Sequence, residues 1–223
     1  NLFESVTAPG GATGAVDSAM GGLISELISD GEITGSSSEM TLIHTPNSAY
    51  PNFKPSRVLV AGLGSSDSFD LNGVRKVSAS VTRKLRASGA KQVATILHGA
   101  GIGDIEPSAS AQAVVEGSLL GAYRFLKYRT TDKNRKSDVE KLVIVESESS
   151  KIDAVNTGIT SGTVYSRAEI LARDLVNEPA NKLSPADLAA VAEQVSRDSG
   201  LSCTVLEEAE VTKLGMGAFV GVS

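Results

Sequence analysis

Two kinds of apolar segment alternate along this chain. In four stretches apolar residues recur every three or four residues, which is the spacing of one face of an α-helix. These helical stripes are Val16/Met20/Leu23/Leu27, Leu71/Val74/Val77/Val81/Leu85, Val115/Leu119/Ala122/Leu126 and Val164/Ala168/Leu171/Leu175. Short continuous apolar runs lie between the stripes and predict strands over residues 41–45, 57–63, 93–97 and 142–145.

The order of these elements predicts an α/β fold. Strands that alternate with helices and are apolar on both faces are typical of a mixed, largely parallel sheet covered by helices. Hydrophobic residues make up 41% of the chain and aromatic residues only 4%, so we expect an aliphatic core. Residues 1–6 have the character of a strand end, as though the chain were cut inside that strand.

Local signals near residue 180 predict that one helix ends and another begins. A long helix over residues 155–176 should end just before Pro179, because proline biases the preceding residue away from the α region. Ser184 can then cap a new helix, with Asp187 in the position of a capping-box acid. We expect a strand over residues 202–206 to follow this helix.

Two C-terminal segments have uncommon sequences. Residues 177–185 read NEPANKLSP, and residues 215–223 read GMGAFVGVS. Together they closely resemble the entry to the catalytic domain of the leucyl aminopeptidases, the two-metal cytosol aminopeptidase family. The resemblance is most specific from residue 172 onward, and it is looser but consistent over residues 1–165.

The resemblance implies one domain followed by the start of another. Residues 1–155 would form a non-catalytic N-terminal domain, a three-layer α/β/α sandwich similar to macro domains. Residues 156–178 would form a connecting helix, and residues 179–223 the truncated start of the metallopeptidase domain. In this family the metal ligands and catalytic residues follow the GMGAF-type strand, in VGKG-x-TFD-type and NTDAEGR-type segments that do not occur in this chain. We therefore expect no catalytic, metal-binding or substrate-binding residue in this chain, and no activity from it alone.

The resemblance also implies what the parent protein would do. It would remove N-terminal amino acids from peptides with two divalent metal ions, which could be zinc, manganese or magnesium. It would act in the cytoplasm as a homohexamer that includes the missing catalytic domain. Two other hypotheses stay open: a regulatory module that binds DNA or a nucleotide-like ligand, and a domain that serves only subunit packing.

Net charge and cysteine content narrow the classes of partner. The formal net charge of −5 gives no electrostatic reason to expect nucleic acid or an anionic membrane. Cys203 is the single cysteine, which excludes an intrachain disulfide and suits a reducing compartment. We interpret it as a small core residue rather than a nucleophile. No apolar run approaches the roughly 20 residues of a membrane-spanning helix.

Two glycine-containing turns could either bind an anion or serve only as turns. Residues 98–104, with the sequence HGAGIGD, follow a predicted strand and precede a predicted helix, which is the context of phosphate-binding loops. Because the loop lacks G-x-G-x-x-G spacing, we favour a structural turn. Gly62 and Gly64 allow the same two interpretations, and a strand-end turn is again favoured.

Histidines and clustered acids lack the spacing of a metal site. His44 and His98 lie near predicted strand ends, and we interpret both as hydrogen-bonded structural residues rather than ligands. Glu207, Glu208 and Glu210 alternate around a predicted short helix and are expected to form a solvated face.

A basic stretch with interleaved aromatic residues is a candidate binding surface. It comprises Tyr123, Arg124, Phe125, Lys127, Tyr128, Arg129, Lys133, Arg135, Lys136 and Lys141. Such a stretch could contact nucleic acid or a protein partner. The net negative charge favours the alternative, in which cations complement a helix C-terminus and a hydrated loop follows.

Overall fold

The fold is described from a computed structural model. The structure describes residues 1–99, 105–131 and 138–222. The chain divides into two compact units, Asn1–Ile170 and Leu171–Ser223, and the boundary falls inside one long helix. The predicted three-part division at residues 155 and 178 stays a prediction.

The first unit mixes helices and strands, which confirms the predicted α/β class. Along the chain the elements are α1 Gly11–Ala19, α2 Leu23–Ser29, β1 Met40–His44, β2 Arg57–Ala61, α3 Leu71–Ser88, β3 Gln92–Ile96, α4 Pro107–Ala122, β4 Lys141–Val145 and α5 Ile152–Asn177, the last of which continues into the second unit. The four strands predicted over residues 41–45, 57–63, 93–97 and 142–145 each overlap an observed one and differ from it by a residue or two at the ends.

The first helical stripe is divided between α1 and α2. Gly21 and Gly22 have φ angles of 71° and 88°, in the left-handed region that glycine adopts at helix ends. Because Gly22 has no side chain to cap α2, the buried Asp17 carboxylate accepts hydrogen bonds from the N–H groups of Ile24 (2.7 Å) and Ser25 (3.1 Å). Burial by itself would raise the pKa of the Asp17 carboxyl, but hydrogen bonds from Ser25 and Ile24 outweigh this and lower it.

The strands of the described residues form two separate pairs. Strands β1 and β2 are antiparallel, whereas β3 and β4 are parallel. An isolated parallel bridge also joins Leu2 to Gly62. There the N–H of Leu2 donates to the carbonyl oxygen of Ala61 (3.0 Å), and the N–H of Leu63 donates to the carbonyl oxygen of Leu2 (2.8 Å). The strands are therefore mixed in direction, as predicted, but their ladder is interrupted between β2 and β3.

The core of the first unit is aliphatic, in agreement with the composition. Three groups of buried side chains form it: Leu2/Met20/Ile24/Ile33/Ile43/Val60, Val74/Ala113/Val114 and Leu97/Ala111/Val155. Among the described residues, no helix combines the length and apolar character needed to cross a bilayer.

Glycines bring α3, α4 and α5 into close contact. A Cβ on Gly117 would lie 2.3 Å from the carbonyl oxygen of Arg75 in α3. A Cβ on Gly158 would lie 2.1 Å from the carbonyl oxygen of Ser108 in α4. Glycine inside a helix costs about 1 kcal/mol relative to alanine, so the close approach of the backbones accounts for its use at these positions.

The second unit contains the helices α6 Pro185–Ser199, α7 Glu208–Lys213 and α8 Gly217–Val220. The predicted capping box of α6 is confirmed. The N–H of Ser184 donates to Oδ2 of Asp187 (2.8 Å), and the N–H of Asp187 donates to Oγ of Ser184 (3.3 Å). Helix α5 ends at Asn177, two positions before Pro179, as the sequence predicted.

Two predictions for the second unit are wrong. Residues 202–206 do not form a strand. In the segment that resembles the family's GMGAF-type strand, residues 217–220 form the short helix α8. A strand needs a partner for its backbone groups, and the described part of this unit contains no other strand. Cys203 is exposed rather than part of a core, and the described part of this unit contains no sheet on which its segment could pack.

Candidate functional site

His98 is a buried histidine that follows β3. Its side chain is 3% exposed, and its Nδ1 atom lies 2.6 Å from Nδ2 of Asn1. Since the amide nitrogen can only donate, Nδ1 accepts this hydrogen bond. The carbonyl oxygen of His98 accepts a hydrogen bond from Oγ of Ser110 in α4 (2.9 Å). The prediction of a hydrogen-bonded structural histidine is thus confirmed for His98, whereas His44 is exposed at the end of β1.

Burial controls the charges of this pair. It lowers the pKa of the His98 imidazole to about 3, and the nearby Asn1 ammonium group adds to the effect. Burial also lowers the pKa of the Asn1 amino group to about 6. This amino group donates to Oγ1 of Thr13 (3.3 Å), which in turn donates to the carbonyl oxygen of Asn1 (2.9 Å). At neutral pH His98 is therefore a neutral hydrogen-bond acceptor.

A cavity of about 970 Å³ lies beside Asn1 and His98 in the first unit. Its wall includes residues 57–60 of β2 and residues 92–96 of β3, together with side chains from α3, α4 and α5. Ser78 lines the cavity, and its buried hydroxyl has no hydrogen-bond partner among the described residues. The site therefore combines two strand edges, an unpaired hydroxyl and the first residue of the chain.

The glycine turns have structural explanations where they are described. A Cβ on Gly62 would lie 2.0 Å from the carbonyl oxygen of Ser36, and Gly64 has a φ angle of 78°. These two glycines are required by close packing and by backbone conformation, as the strand-end interpretation predicted. Most of the predicted 98–104 loop, residues 100–104, lies outside the described residues, so its interpretation stays a prediction.

The basic stretch has internal partners for some of its cations. Arg124 forms an ion pair with Asp138, and the Lys127 ammonium lies 5.7 Å from the centre of the Tyr128 ring. Phe125 packs against Tyr128 edge to face. The predicted Lys133, Arg135 and Lys136 lie outside the described residues. The observed contacts favour the structural interpretation of the described part.

The acidic cluster belongs to the beginning of α7. The N–H of Glu207 donates to Oε2 of Glu210 (3.1 Å), which forms one half of a capping box. Glu207, Glu208 and Glu210 are exposed, which confirms the predicted solvated face. Acidic side chains at this end of a helix interact favourably with its dipole.

No metal centre is visible in residues 1–99, 105–131 and 138–222. They contain no group of three or more histidine, cysteine, aspartate or glutamate side chains that could hold an ion. A two-metal hydrolytic centre requires more than three such side chains around its ions. The described residues therefore do not fit such a centre, and the predicted lack of catalytic, metal-binding and substrate-binding residues stays a prediction.

Comparison with protein families identifies two consecutive matches. The N-terminal domain of the cytosol aminopeptidase family matches residues 2–132, and the catalytic domain of the same family matches residues 170–223. The chain belongs to the cytosol aminopeptidase family. This family assignment confirms the resemblance drawn from residues 177–185 and 215–223.

The curated proteins that resemble this chain are named probable cytosol aminopeptidases. The protein of Alkaliphilus metalliredigens is 35% identical over 223 residues, which cover 100% of this chain and 44% of the relative. That of Solibacter usitatus is 35% identical over 200 residues, which cover 89% of this chain and 38% of the relative. The chain thus spans less than half the length of these relatives.

Solved structures share the fold of this family chain. A variant of tomato leucine aminopeptidase superposes with a TM-score of 0.72 at 22% identity, covering 96% of this chain and 41% of the other. The bottromycin maturation enzyme BotP in complex with Mn superposes with a TM-score of 0.69 at 24% identity. The match covers 96% of this chain and 39% of BotP.

Sequence reasoning missed the contact between Asn1 and His98 and the cavity beside it. The strand-like character of residues 1–6 was the available signal. It predicted a strand end at this position but did not indicate which strands it would join.

Proposed function

We propose that this chain is the N-terminal part of a leucyl aminopeptidase whose chemistry is carried by residues outside the chain. The observation that carries the proposal is the order of the two family matches. The N-terminal-domain match over residues 2–132 is followed by a catalytic-domain match that starts at residue 170. Relatives that align with the entire chain are named probable cytosol aminopeptidases, which supports the same proposal.

The parent protein would hydrolyse the first peptide bond of its peptide substrates with the help of two divalent metal ions. Manganese is one candidate, because the structurally similar BotP was solved in complex with Mn. Zinc and magnesium are the others. The metal ligands would belong to the rest of the catalytic domain, of which this chain matches the segment 170–223. By itself the chain would then be inactive and would serve as a scaffold.

Within the parent, the first unit would contribute to assembly of a homohexamer in the cytoplasm, and the segment from residue 179 would open the catalytic domain. A role in DNA binding has less support. Two cations of the basic stretch already have partners in the chain, Arg124 with Asp138 and Lys127 with Tyr128. The net charge of −5 also disfavours contact with a phosphate backbone.

An activity assay tests this proposal directly. Purified residues 1–223 are incubated with leucine-p-nitroanilide in the presence of Mn²⁺ or Zn²⁺, with the full parent protein as the positive control. We expect release of p-nitroaniline from the parent and none from the 223-residue chain. Turnover by the short chain that a chelator abolishes would contradict the assignment of the ligands to other residues.

A further inference from the structure

Strand β1 pairs with another strand on one side only. On that side it is antiparallel to β2, with Met40 opposite Ala61 and His44 opposite Arg57. On its other side, no strand of the described residues pairs with it. We call this other side of residues 40–44 the open edge.

Backbone groups of alternate residues point to the open edge. The N–H of Thr45 donates to the carbonyl oxygen of Ser56 (3.0 Å), so position 45 directs its backbone groups toward the β2 side. Because pairing alternates along an antiparallel ladder, Met40, Leu42 and His44 direct their N–H and C=O groups to the opposite side. Within the described residues, no backbone hydrogen bond satisfies these outward groups.

The sequence of the open edge does not protect it against further pairing. Natural sheets often blunt an edge strand with lysine, proline or a bulge. Residues 40–44 read MTLIH and contain neither lysine nor proline, and their register with β2 continues without a bulge. Such an edge can accept one more strand, whose main-chain hydrogen bonds supply affinity while side-chain pockets supply specificity.

A small pocket lies beside the first residue of the open edge. Its volume is about 80 Å³. Its wall includes Met40, Lys76 and Ser80 of α3, and Ser37 and Ser38 before β1. Since about 10–15 Å³ is enough for one water molecule, the pocket has room for a carboxylate group.

Lys76 gives this pocket a positive charge. Its side chain is exposed, and within the described residues it forms no ion pair, whereas Arg75 next to it pairs with Glu116. The Asp70 carboxylate caps α3 and accepts the N–H of Gly73 (2.8 Å). That hydrogen bond is the main reason for the lowered pKa of Asp70, and the charge of Lys76 adds a smaller effect. Lys76 therefore suits a carboxylate supplied by a partner.

A strand added to the open edge would bring a side chain to this pocket. Residues that lie opposite each other in an antiparallel pair place their side chains on the same face of the sheet. The partner residue opposite Met40 would therefore direct its side chain to the face on which Met40 lines the pocket. An acidic side chain at that position would meet Lys76.

We propose that the open edge binds an extended segment of another polypeptide, antiparallel to β1 and with an acidic residue opposite Met40. The segment's main chain would pair with Met40, Leu42 and His44, and its carboxylate would pair with Lys76. A second copy of this chain fits less well. Two β1 strands paired about Leu42 would place the other copy's His44 opposite Met40, and residues 40–44 contain no acid.

A peptide titration of the 223-residue chain tests this proposal. The probe is acetyl-Thr-Val-Ile-Thr-Glu-Gly-amide, whose glutamate comes opposite Met40 when its first threonine lies opposite His44. The matched peptide has glutamine in place of glutamate. The matched protein variants are Lys76→Met and Lys84→Met, each of which removes one charge from an exposed position of α3. NMR measures the affinity and the hydrogen exchange of the β1 amides.

Hydrogen exchange reports whether the peptide occupies the open edge. At saturation, the glutamate peptide should slow exchange of the Met40, Leu42 and His44 amides by about tenfold. The amides of Thr41 and Ile43 already pair with β2, so their exchange should change much less. This alternation separates an added strand from binding elsewhere on the surface.

Affinity reports whether the carboxylate meets Lys76. The glutamine peptide should bind about three- to fivefold more weakly than the glutamate peptide, as expected for a partly exposed ion pair. Lys76→Met should weaken the glutamate peptide to the same extent, whereas Lys84→Met should leave its affinity unchanged. The glutamine peptide should bind Lys76→Met no more weakly than it binds the original chain, because the two changes remove the same interaction.

Three results would overturn the proposal. The first is unchanged exchange of Met40, Leu42 and His44 at millimolar concentrations of the glutamate peptide. The second is equal affinity of the glutamate and glutamine peptides. The third is protection of the same amides without any peptide, together with a dimer in size-exclusion chromatography, which would make a second copy the occupant.

Discussion

Replacement of Gly158 by alanine tests the packing of α5 on α4. The added Cβ would lie 2.1 Å from the carbonyl oxygen of Ser108 and 2.8 Å from Cβ of Ala111. Ordinary contact begins near 3.4 Å, so the atoms at Ser108 must move apart by 1.3 Å, the difference between 3.4 and 2.1 Å. This displacement would loosen the buried group in which Ala111 packs with Val155.

The expected magnitude follows from two opposing effects. Overpacking in a core costs about 1–3 kcal/mol, whereas alanine in place of glycine inside a helix gains about 1 kcal/mol. Because the added Cβ meets a main-chain oxygen at 2.1 Å, we take the upper part of the overpacking range, about 2–3 kcal/mol. After the gain of about 1 kcal/mol, we expect Gly158→Ala to lose about 1–2 kcal/mol of unfolding free energy, which corresponds to a decrease in Tm of roughly 2–8 °C.

Urea unfolding followed by circular dichroism measures this change. The matched control is Asn156→Ala, which also introduces alanine into α5 but at an exposed position, so it should be neutral or slightly stabilising. If Gly158→Ala unfolded at the same urea concentration as the control, or at a higher one, the close approach of α4 and α5 would be incorrect.

Other predictions concern capping and buried charge. Asp17→Ala should cost about 1–3 kcal/mol of unfolding free energy, because the first N–H groups of α2 lose their carboxylate acceptor and the Ser25 hydroxyl loses its hydrogen-bond partner. An unchanged urea midpoint of unfolding would contradict this prediction. The pKa of His98 falls from 6.5 to about 3 on folding, so the unfolded chain binds more protons between these values. The free energy of unfolding should therefore decrease as pH falls from 6.5 towards 3, by up to about 1.4 kcal/mol per pH unit. In urea titrations at several pH values, His98→Gln should show a weaker dependence on pH. The same dependence of unfolding free energy on pH in both proteins would refute this prediction. Ser184→Ala should weaken α6 by about 1 kcal/mol, seen as faster amide exchange in its first turn, whereas Ser184→Asp should preserve the cap.

The sequence was sufficient for elements whose signals are local. The α6 capping box needs only Ser184 and Asp187, three residues apart, and both hydrogen bonds are present. Helix α3 ends where Gly89 can adopt a positive φ angle of 81°. Such elements are determined by neighbouring residues, so periodicity and capping rules locate them well.

Elements that depend on distant partners were not predicted correctly. Residues 202–206 have a strand-like composition, but a strand is stabilised by pairing, and the described part of the second unit offers none. The same reason explains the exposure of Cys203. The first helical stripe is divided between two helices because Gly21 and Gly22 adopt positive φ angles after α1. The apolar spacing continues across this break, so it did not reveal it.

The candidate site was even less accessible from sequence. The contact between Asn1 and His98 joins residues separated by 97 positions, and no local spacing rule connects them. Burial determines the charge state of both groups, and burial results from tertiary packing rather than from the residue type.

The glycines between α3, α4 and α5 limit how this protein can diverge. Where two helices meet through side chains, a larger residue on one can be offset by a smaller residue on the other. At Gly117 and Gly158 the opposing atoms are main-chain carbonyl oxygens, which no substitution can shorten. We therefore expect homologous chains to vary freely on the outer faces of these helices while they retain glycine at these two positions.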